Sequence, residues 1–156
     1  MKDPGITICS GMSGFVLIDR IIEIGPDKIM AGKAMKRAPI FSGIEALAQA
    51  GALHTRYLND FDRHAFLLKI QRCSLPPGRE LDGEFLIRGV LAGRSAASFL
   101  YRLCLEKNGW PAMEGEFLIG TVAYDFRFPR GILEKRYRDL FACLIDTKPL
   151  PSRMLP

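Results

Sequence analysis

The sequence predicts an α+β domain in which one long, buried helix is wrapped by an antiparallel β-sheet, with an amphipathic helix added at the C-terminus. A helical pattern of small and apolar residues occupies residues 43–58. Segments with strand-like alternation lie on both sides of it, separated by turns rich in glycine and proline. A chain of 156 residues suffices for one hydrophobic core and is short for two. We therefore expect one domain over residues 1–128 and an extension over residues 129–156.

The first two strands are expected to form a β-hairpin. Residues 15–24 are rich in β-branched side chains and end at the turn sequence Gly25-Pro26-Asp27. Residues 28–35 then alternate apolar with polar or small side chains. This alternation is typical of a strand that pairs with the segment before the turn.

The long helix follows over residues 43–58. Apolar and small side chains recur there at helical spacing, and alanines at positions 46, 48, 50 and 52 favour a helix. Most of this segment carries little charge, and Ala48 and Gly51 leave room for a sheet to approach closely. We therefore expect the helix to be largely buried.

Four further strands and a second helix are expected after the long helix. The strands cover residues 65–73, 80–91, 97–105 and 116–125. The turns between them are Leu75-Pro-Pro-Gly78, Ala92-Gly-Arg-Ser95 and Lys107-Asn-Gly-Trp-Pro111. Apolar side chains at helical spacing predict an amphipathic helix over residues 132–144, and the proline-rich tail from Thr147 is expected to be irregular.

Composition and charge restrict the class of protein. The formal net charge is +5 without a long basic run, which is compatible with an acidic protein partner and gives no support to nucleic-acid binding. Charged residues interrupt every apolar run before the roughly 18 to 20 residues of a membrane span, and the N-terminus lacks the apolar stretch of a signal peptide. We therefore expect a cytoplasmic protein. No C-x-x-C pair is present, so we also expect reduced cysteines and no metal site. The four cysteines are Cys9, Cys73, Cys104 and Cys143.

The most informative stretch is Glu45-Ala-Leu-Ala-Gln-Ala-Gly51, which places a carboxylate in the first turn of the predicted helix. One interpretation is structural, because Ser42-Gly-Ile-Glu45 has the S-x-x-E pattern of a capping box, whose two side chains bond free amides at the helix start. The other interpretation is chemical: Glu45 acts as a general acid or base at the rim of a mostly apolar cleft. The local pattern leaves both interpretations open.

Three blocks together resemble the β-hydroxyacyl-acyl-carrier-protein dehydratases of fatty acid synthesis. The blocks are Phe15-Val-Leu-Ile-Asp-Arg-Ile21, Glu45-Ala-Leu-Ala-Gln-Ala-Gly51 and Leu75-Pro-Pro-Gly78, and the similarity covers residues 14–124. The resemblance implies a hot-dog fold and a homodimer, or a higher even oligomer, whose interface holds two sites. It implies a substrate on phosphopantetheine, carried by an acidic acyl carrier protein or as acyl-coenzyme A, with no other cofactor. It assigns the catalytic carboxylate to Glu45 and carries the family's glutamine over to Gln49.

The family's catalytic histidine has no counterpart in its usual place. Those dehydratases carry it in a Gly-His-Phe-Pro segment before the helix, whereas Lys36-Arg-Ala-Pro-Ile-Phe-Ser42 is shorter and contains no histidine. Loss of a positioned general base commonly lowers a rate by about 10² to 10⁴. Three functions therefore stay open: dehydration of a β-hydroxyacyl thioester, hydrolysis of an acyl thioester by a single carboxylate, and non-catalytic binding of acyl chains or a carrier.

Two histidines and two helix residues are the remaining candidates for the site. His64 opens the strand that, by resemblance, pairs across the dimer, so it is a candidate catalytic residue for the partner's site. His54 lies nine residues after Glu45, on the opposite side of the helix, and we expect it on the outer helix face. Gly43 could present backbone amides to a thioester carbonyl, and Gln49, one turn after Glu45, could orient substrate or water. The basic residues that could meet a phosphate or a carrier carboxylate are Lys36, Arg37, Arg72 and Arg79.

Overall fold

Alternating apolar and polar side chains produce one antiparallel sheet in the computed structural model, which describes residues 18–145. In chain order this range contains β1 (Arg20–Ile24), β2 (Lys28–Pro39), α1 (Ile40–Leu58), β3 (His64–Ser74), β4 (Glu80–Arg94), β5 (Ser98–Lys107), β6 (Trp110–Val122) and α2 (Arg130–Ile145). The strands lie in the order β1-β2-β4-β5-β6-β3, so β1 and β3 are the edges. The predicted order of elements is confirmed. Residues 15–17 of the first predicted strand and the tail from Thr147 lie outside the described residues.

The hairpin between β5 and β6 shows why one predicted strand boundary was wrong. Asn108 and Gly109 have φ angles of 53° and 81°, and they join Lys107 to its partner Trp110. Positive φ at both central residues is what a two-residue type I′ turn requires, and Asn-Gly is its favoured sequence. Because the turn takes only two residues, β6 begins at Trp110 rather than at residue 116.

The start of α1 excludes the capping box. Pro39 has φ −65° and ψ 155°, and it stands before the helix as the N-cap residue without a side-chain hydrogen bond. The helix therefore begins at Ile40, three residues earlier than predicted, and its first turn holds no acidic residue. Ser42 is the third helical residue and Glu45 lies in the second turn. The capping-box interpretation of these two residues is wrong, since Pro39 already ends the strand and precedes the helix.

The core forms where α1 packs against strands β2 to β6. Glycines on α1 permit the close approach: a Cβ on Gly43 would lie 2.7 Å from Leu81 Cδ1, and one on Gly51 would lie 3.3 Å from Ile119 Cγ1. Leu47 is fully buried on the same side of the helix, and burial of such a side chain stabilises a fold by about 1.5–3 kcal/mol. Small residues thus allow the helix to lie close to the sheet.

The predicted C-terminal helix is confirmed, and it packs on the domain. Leu140 and Leu144 are buried. The ring of Phe141 lies 5.6 Å from that of Tyr57 and 5.2 Å from that of Phe61. The helix also contacts β1. It therefore covers the C-terminal end of α1, whereas the N-terminal end of α1 lies farther away.

Three of the four cysteines lie within the described residues. Cys73 and Cys104 are free thiols, whereas Cys143 is disulfide-bonded. The expectation that all four cysteines are reduced is therefore wrong for Cys143, and Cys9 lies outside the described residues. Neither helix within residues 18–145 has the length and apolar character needed to cross a bilayer.

Candidate functional site

Glu45 lies on a face of α1 that the sheet does not cover. Its side chain is exposed and accepts a long hydrogen bond of 3.4 Å from Gln49 Nε2. Phe41, one turn before Glu45, is 70% exposed. Residues four apart lie one above the other on a helix, so these three side chains form one stripe. We call this stripe of Phe41, Glu45 and Gln49 the open face of α1.

The first turn of α1 offers backbone amides beside the open face. Because the helix begins at Ile40, the helical amides without an intrahelical acceptor are those of Ile40, Phe41 and Ser42. The Gly43 amide is the first to bond within the helix, to the carbonyl of Pro39. The donors available to a thioester oxygen thus lie just before Gly43. A helix N-terminus also favours the negative charge that develops on such an oxygen.

The segment before α1 holds basic side chains where the dehydratases carry histidine. Arg37 lies in a β-bulge with φ 48°, and its amide donates to Asp82 Oδ1 over 2.9 Å. Its guanidinium Nε lies 3.2 Å from Glu80 Oε2. Lys36 and Arg79 are exposed nearby, since Pro39 pairs with Glu80. The segment before α1 is therefore partly basic and is bonded to the start of β4.

His54 is a buried structural residue. Its Nε2 lies 2.6 Å from the Gly25 carbonyl oxygen, and its Nδ1 lies 2.8 Å from the Tyr101 hydroxyl. A carbonyl only accepts, so Nε2 carries the proton and Nδ1 accepts from Tyr101. Burial lowers the pKa of His54, which favours this neutral form. The prediction of an outer-face position is wrong, because the side opposite the exposed Glu45 is the side that faces the sheet.

His64 opens β3, as predicted, and is buried at 9% exposure. Its ring stacks on Phe128 at a centroid distance of 4.4 Å and lies 6.2 Å from the ring of Tyr137 on α2. Burial lowers the pKa of His64, and the positive charge of Arg56 lowers it further. His64 thus neighbours the C-terminal end of α1. Arg56 is eleven residues after Glu45, about 16 Å along the helix axis, so one chain does not bring His64 to Glu45.

Sequence reasoning missed several residues that shape the molecule. Arg56 is half-buried beneath α2 with its Nε fully buried, although a basic residue in the last turn of a helix is usually solvated. Tyr101 is fully buried and bonds His54 from a strand 47 residues away. Helical phase could have indicated the inward position of His54. No local pattern identifies Tyr101 as its partner.

Solved structures resemble this chain, whereas no protein-family model and no curated protein matches it. The dehydratase heterocomplex ApeI:P from Xenorhabdus doucetiae is 12% identical with a TM-score of 0.64, over 74% of this chain and 88% of that chain. A variant of thioesterase PA1618 from Pseudomonas aeruginosa is 11% identical with a TM-score of 0.54, over 67% and 81%. An HP0420 homologue from Helicobacter felis is 14% identical with a TM-score of 0.59, over 77% and 88%.

These likenesses identify the fold. Six antiparallel strands with a long helix packed on them match structures of the hot-dog class, so the hot-dog fold expected from the resemblance is confirmed. Identities of 11% to 14% show the fold alone. The matched structures include both a dehydratase and a thioesterase. The fold is therefore compatible with both reactions, and only the residues of the site can distinguish one reaction from the other.

Proposed function

We propose that this chain acts on acyl thioesters at the open face of α1, with Glu45 as the general acid or base. The observation that carries the proposal is a carboxylate with no structural task. Glu45 is exposed, does not cap the helix, and within residues 18–145 its hydrogen bond is the long one from Gln49. The free amides of Phe41 and Ser42 lie in the helical turn before it, where a polarised carbonyl oxygen would find donors.

The first candidate reaction is dehydration of a β-hydroxyacyl thioester. The Glu45 carboxylate would take a proton from the carbon next to the thioester carbonyl, whose oxygen the free amides of the first turn stabilise. The β-hydroxyl would then leave with a proton from the same carboxyl group, which gives water and a carbon–carbon double bond. Resemblance to the dehydratases supports this candidate, and Gln49 would orient the substrate or the leaving water.

The second candidate reaction is hydrolysis of an acyl thioester. Glu45 would take a proton from water, the hydroxide oxygen would attack the carbonyl carbon, and the thiol would leave with that proton. A specific observation favours this candidate: within one chain both histidines lie away from Glu45 and are buried. The dehydratases that the sequence resembles use a histidine besides the carboxylate, whereas hydrolysis needs one carboxylate and no histidine. If His64 contributes to either reaction, it does so in the site of a second copy.

The substrate carrier is proposed to be the phosphopantetheine arm of an acidic acyl carrier protein, or coenzyme A. Lys36 and Arg79 are exposed near the start of α1, where they could meet phosphate or carrier carboxylates. Arg37 and Arg72 already pair with Glu80 and with Glu116, at 3.2 Å and 2.9 Å. The first two residues are therefore the better candidates for carrier contact.

We also propose that two copies assemble through β3. This strand is an edge of the sheet, and its Leu67 and Leu68 are 40% and 54% exposed. Edge strands present unpaired backbone groups that a second strand can bond. Such a dimer fits the interface site that the resemblance to the dehydratases implies.

An assay of the purified full chain distinguishes the candidate reactions. The substrates are β-hydroxyacyl and simple acyl thioesters of coenzyme A and of an acyl carrier protein, with the products read by mass spectrometry. Loss of water identifies a dehydratase, and release of the free thiol identifies a thioesterase. If the parent protein binds a thioester and converts neither class, the chain is a non-catalytic binding subunit.

Glu45→Gln tests the assigned residue. It keeps the length and most hydrogen bonds of the side chain while removing its titratable group, so turnover should fall by about 10² or more. The free energy of unfolding should change by less than about 0.5 kcal/mol, because the residue is exposed. Glu23→Gln is the matched control, since Glu23 is also exposed but lies on β1. Full activity in folded Glu45→Gln protein would contradict the assignment.

A further inference from the structure

Two buried nitrogen atoms share one place beneath α2. Among residues 18–145, the buried side-chain nitrogen and oxygen atoms without a hydrogen-bond partner are Arg56 Nε and His64 Nδ1. Unsatisfied buried polar atoms are rare in folded proteins, and each one calls for a physical explanation. Both belong to side chains that approach Tyr137 of α2. Their common location indicates one cause rather than two.

The cluster has a defined geometry. The guanidinium carbon of Arg56 lies 3.7 Å from the centre of the Tyr137 ring, and its Nη2 donates to the Ala65 carbonyl over 2.7 Å. His64 stacks on Phe128 at 4.4 Å. We call Arg56, His64, Tyr137 and Phe128 the Arg56 cluster. The first two residues belong to the sheet-and-helix domain, and the last two belong to the segment that covers it.

The Arg56 cluster contains a half-buried guanidinium whose Nε is fully buried, and no carboxylate among the described residues pairs with it. An arginine side chain stays protonated in proteins, and buried charges are normally paired. The nearby carboxylates are engaged at the surface: Asp62 lies 2.6 Å from Arg130, and Glu134 lies 3.2 Å from Arg138. The Tyr137 ring offsets part of the charge through its π face. The Nε proton of Arg56 nevertheless has no acceptor among the described residues.

We propose that a small oxyanion, a carboxylate or a phosphate group, binds to Arg56 Nε and His64 Nδ1 beneath α2. One oxygen would accept the Nε proton of Arg56, and a second would accept a proton on Nδ1 of His64. The anion would supply the missing negative charge and satisfy both orphan nitrogens. Hydrogen bonds between an ionised acceptor and charged donors are the strong ones. This inference depends neither on Glu45 nor on thioester turnover.

Anion binding would also fasten α2 to the domain. Arg56 comes from α1 and His64 from β3, whereas Tyr137 and Phe128 come from the covering segment. The backbone amides of α2 should therefore exchange with solvent more slowly when the anion is bound. This consequence is measurable in the full chain without knowledge of its substrate.

The two histidines of the chain provide an internal control for a nuclear magnetic resonance titration. The pH of the full-chain sample is varied in chloride, and the pH titration is then repeated with added phosphate or acetate at the same ionic strength. Bound anion should raise the pKa of His64 by about one unit in a saturable manner. His54 should not respond, because Gly25 and Tyr101 occupy both of its ring nitrogens. Comparison of phosphate with acetate identifies which oxyanion is preferred.

Variants separate a built site from general charge screening. Arg56→Met should abolish the response of His64. Arg138→Met should preserve it, because Arg138 lies on α2, contacts Asp60 and Glu134, and is exposed. If Arg56→Met does not fold, isothermal calorimetry on the parent and on His64→Phe replaces it. We expect the parent to bind one anion per chain and His64→Phe to bind it at least about tenfold more weakly. An absent response in the parent, equal responses of both histidines, or an unchanged response in Arg56→Met would overturn the proposal in favour of a bound water or diffuse screening.

Discussion

At the scale of single residues, the buried network around His54 allows each proton to be assigned. Tyr101 gives its proton to His54 Nδ1, since Nε2 already donates to Gly25. The Thr55 hydroxyl lies 2.9 Å from the Gly51 carbonyl and 3.0 Å from the Tyr101 oxygen. Because the Tyr101 proton is used, Thr55 shares its own between these two acceptors. The network links α1 to β5 and to the turn between β1 and β2.

Tyr101→Phe tests this network. The variant keeps the ring and removes the hydroxyl, so His54 Nδ1 becomes a buried acceptor without a donor. We expect the free energy of unfolding in urea to fall by about 1–3 kcal/mol. Tyr57→Phe is the control, since its ring stacks on Phe141 at the edge of the core, and it should change stability by less than about 0.5 kcal/mol. Equal effects of the two variants would contradict the assigned network.

Stability should fall on mild acidification because two histidines are buried. Burial lowers the pKa of both His54 and His64 in the folded chain, while the unfolded value is about 6.5. Below that value the unfolded chain binds more protons, so folding loses up to about 1.4 kcal/mol per pH unit for each histidine. Above about pH 6.5 the contribution is complete. Urea unfolding at pH 7.5 and pH 5.5 in chloride measures it, and His64→Phe should reduce the slope.

At the scale of elements, α2 is held mainly by a few apolar side chains. Leu140 and Leu144 are buried, and Phe141 contacts aromatic rings at the end of α1. The ion pairs along α2 are at the surface, for example Lys135 with Asp139 at 2.7 Å. Such exposed pairs contribute about 0–1 kcal/mol each. The apolar contacts therefore decide whether α2 stays docked.

Leu144→Ala tests the docking of α2. Truncation of a fully buried leucine leaves a cavity, and we expect a loss of about 2–5 kcal/mol in unfolding free energy. Ile132→Ala is the matched control on the same helix, because Ile132 is 58% exposed, and it should cost less than about 1 kcal/mol. Hydrogen exchange should show faster exchange along α2 in the first variant. Equal stabilities of the two variants would show that α2 is loosely attached.

At the scale of the whole molecule, the two edges of the sheet differ in what covers them. β1 contacts α2, whereas the middle of β3 exposes Leu67 and Leu68. The open face of α1 also carries an exposed aromatic residue, Phe41. Exposed apolar side chains along an unpaired edge favour association with another strand. The exposed leucines of β3 belong to the proposed interface, and Phe41 marks an apolar surface beside the catalytic residue that we assign.

Light scattering tests the proposed assembly. The parent should be a dimer or a multiple of it at micromolar concentration, because the edge strand offers both backbone groups and apolar contacts. Leu68→Lys should weaken the dimer at least about tenfold by placing a charge at the contact. Val90→Lys is the control, since Val90 is 52% exposed but lies on β4, an interior strand. A strictly monomeric parent would contradict both the dimer and the interface site.

The sequence by itself determined the type and order of the elements in this protein. Apolar residues at helical spacing predicted α1 and α2, and strand-like alternation predicted the six strands. The Asn108-Gly109 turn was also recognisable, and Glu45 stood out as a carboxylate on an otherwise uncharged stretch. These features are local, because helix phase, strand alternation and turn conformation depend on residues close together in the chain.

Only the tertiary structure decided how the side chains of the candidate site are used. Pro39 is the N-cap residue of α1, so Glu45 does not cap the helix. The position of the N-cap depends on where β2 ends against β4. His54 forms hydrogen bonds with groups 29 and 47 residues away. Arg56 contacts Tyr137, which belongs to a helix much later in the chain. Burial and hydrogen-bond partners arise when distant segments pack together. Local periodicity therefore predicts the elements but not these partners, because they depend on contacts between segments that are remote in sequence.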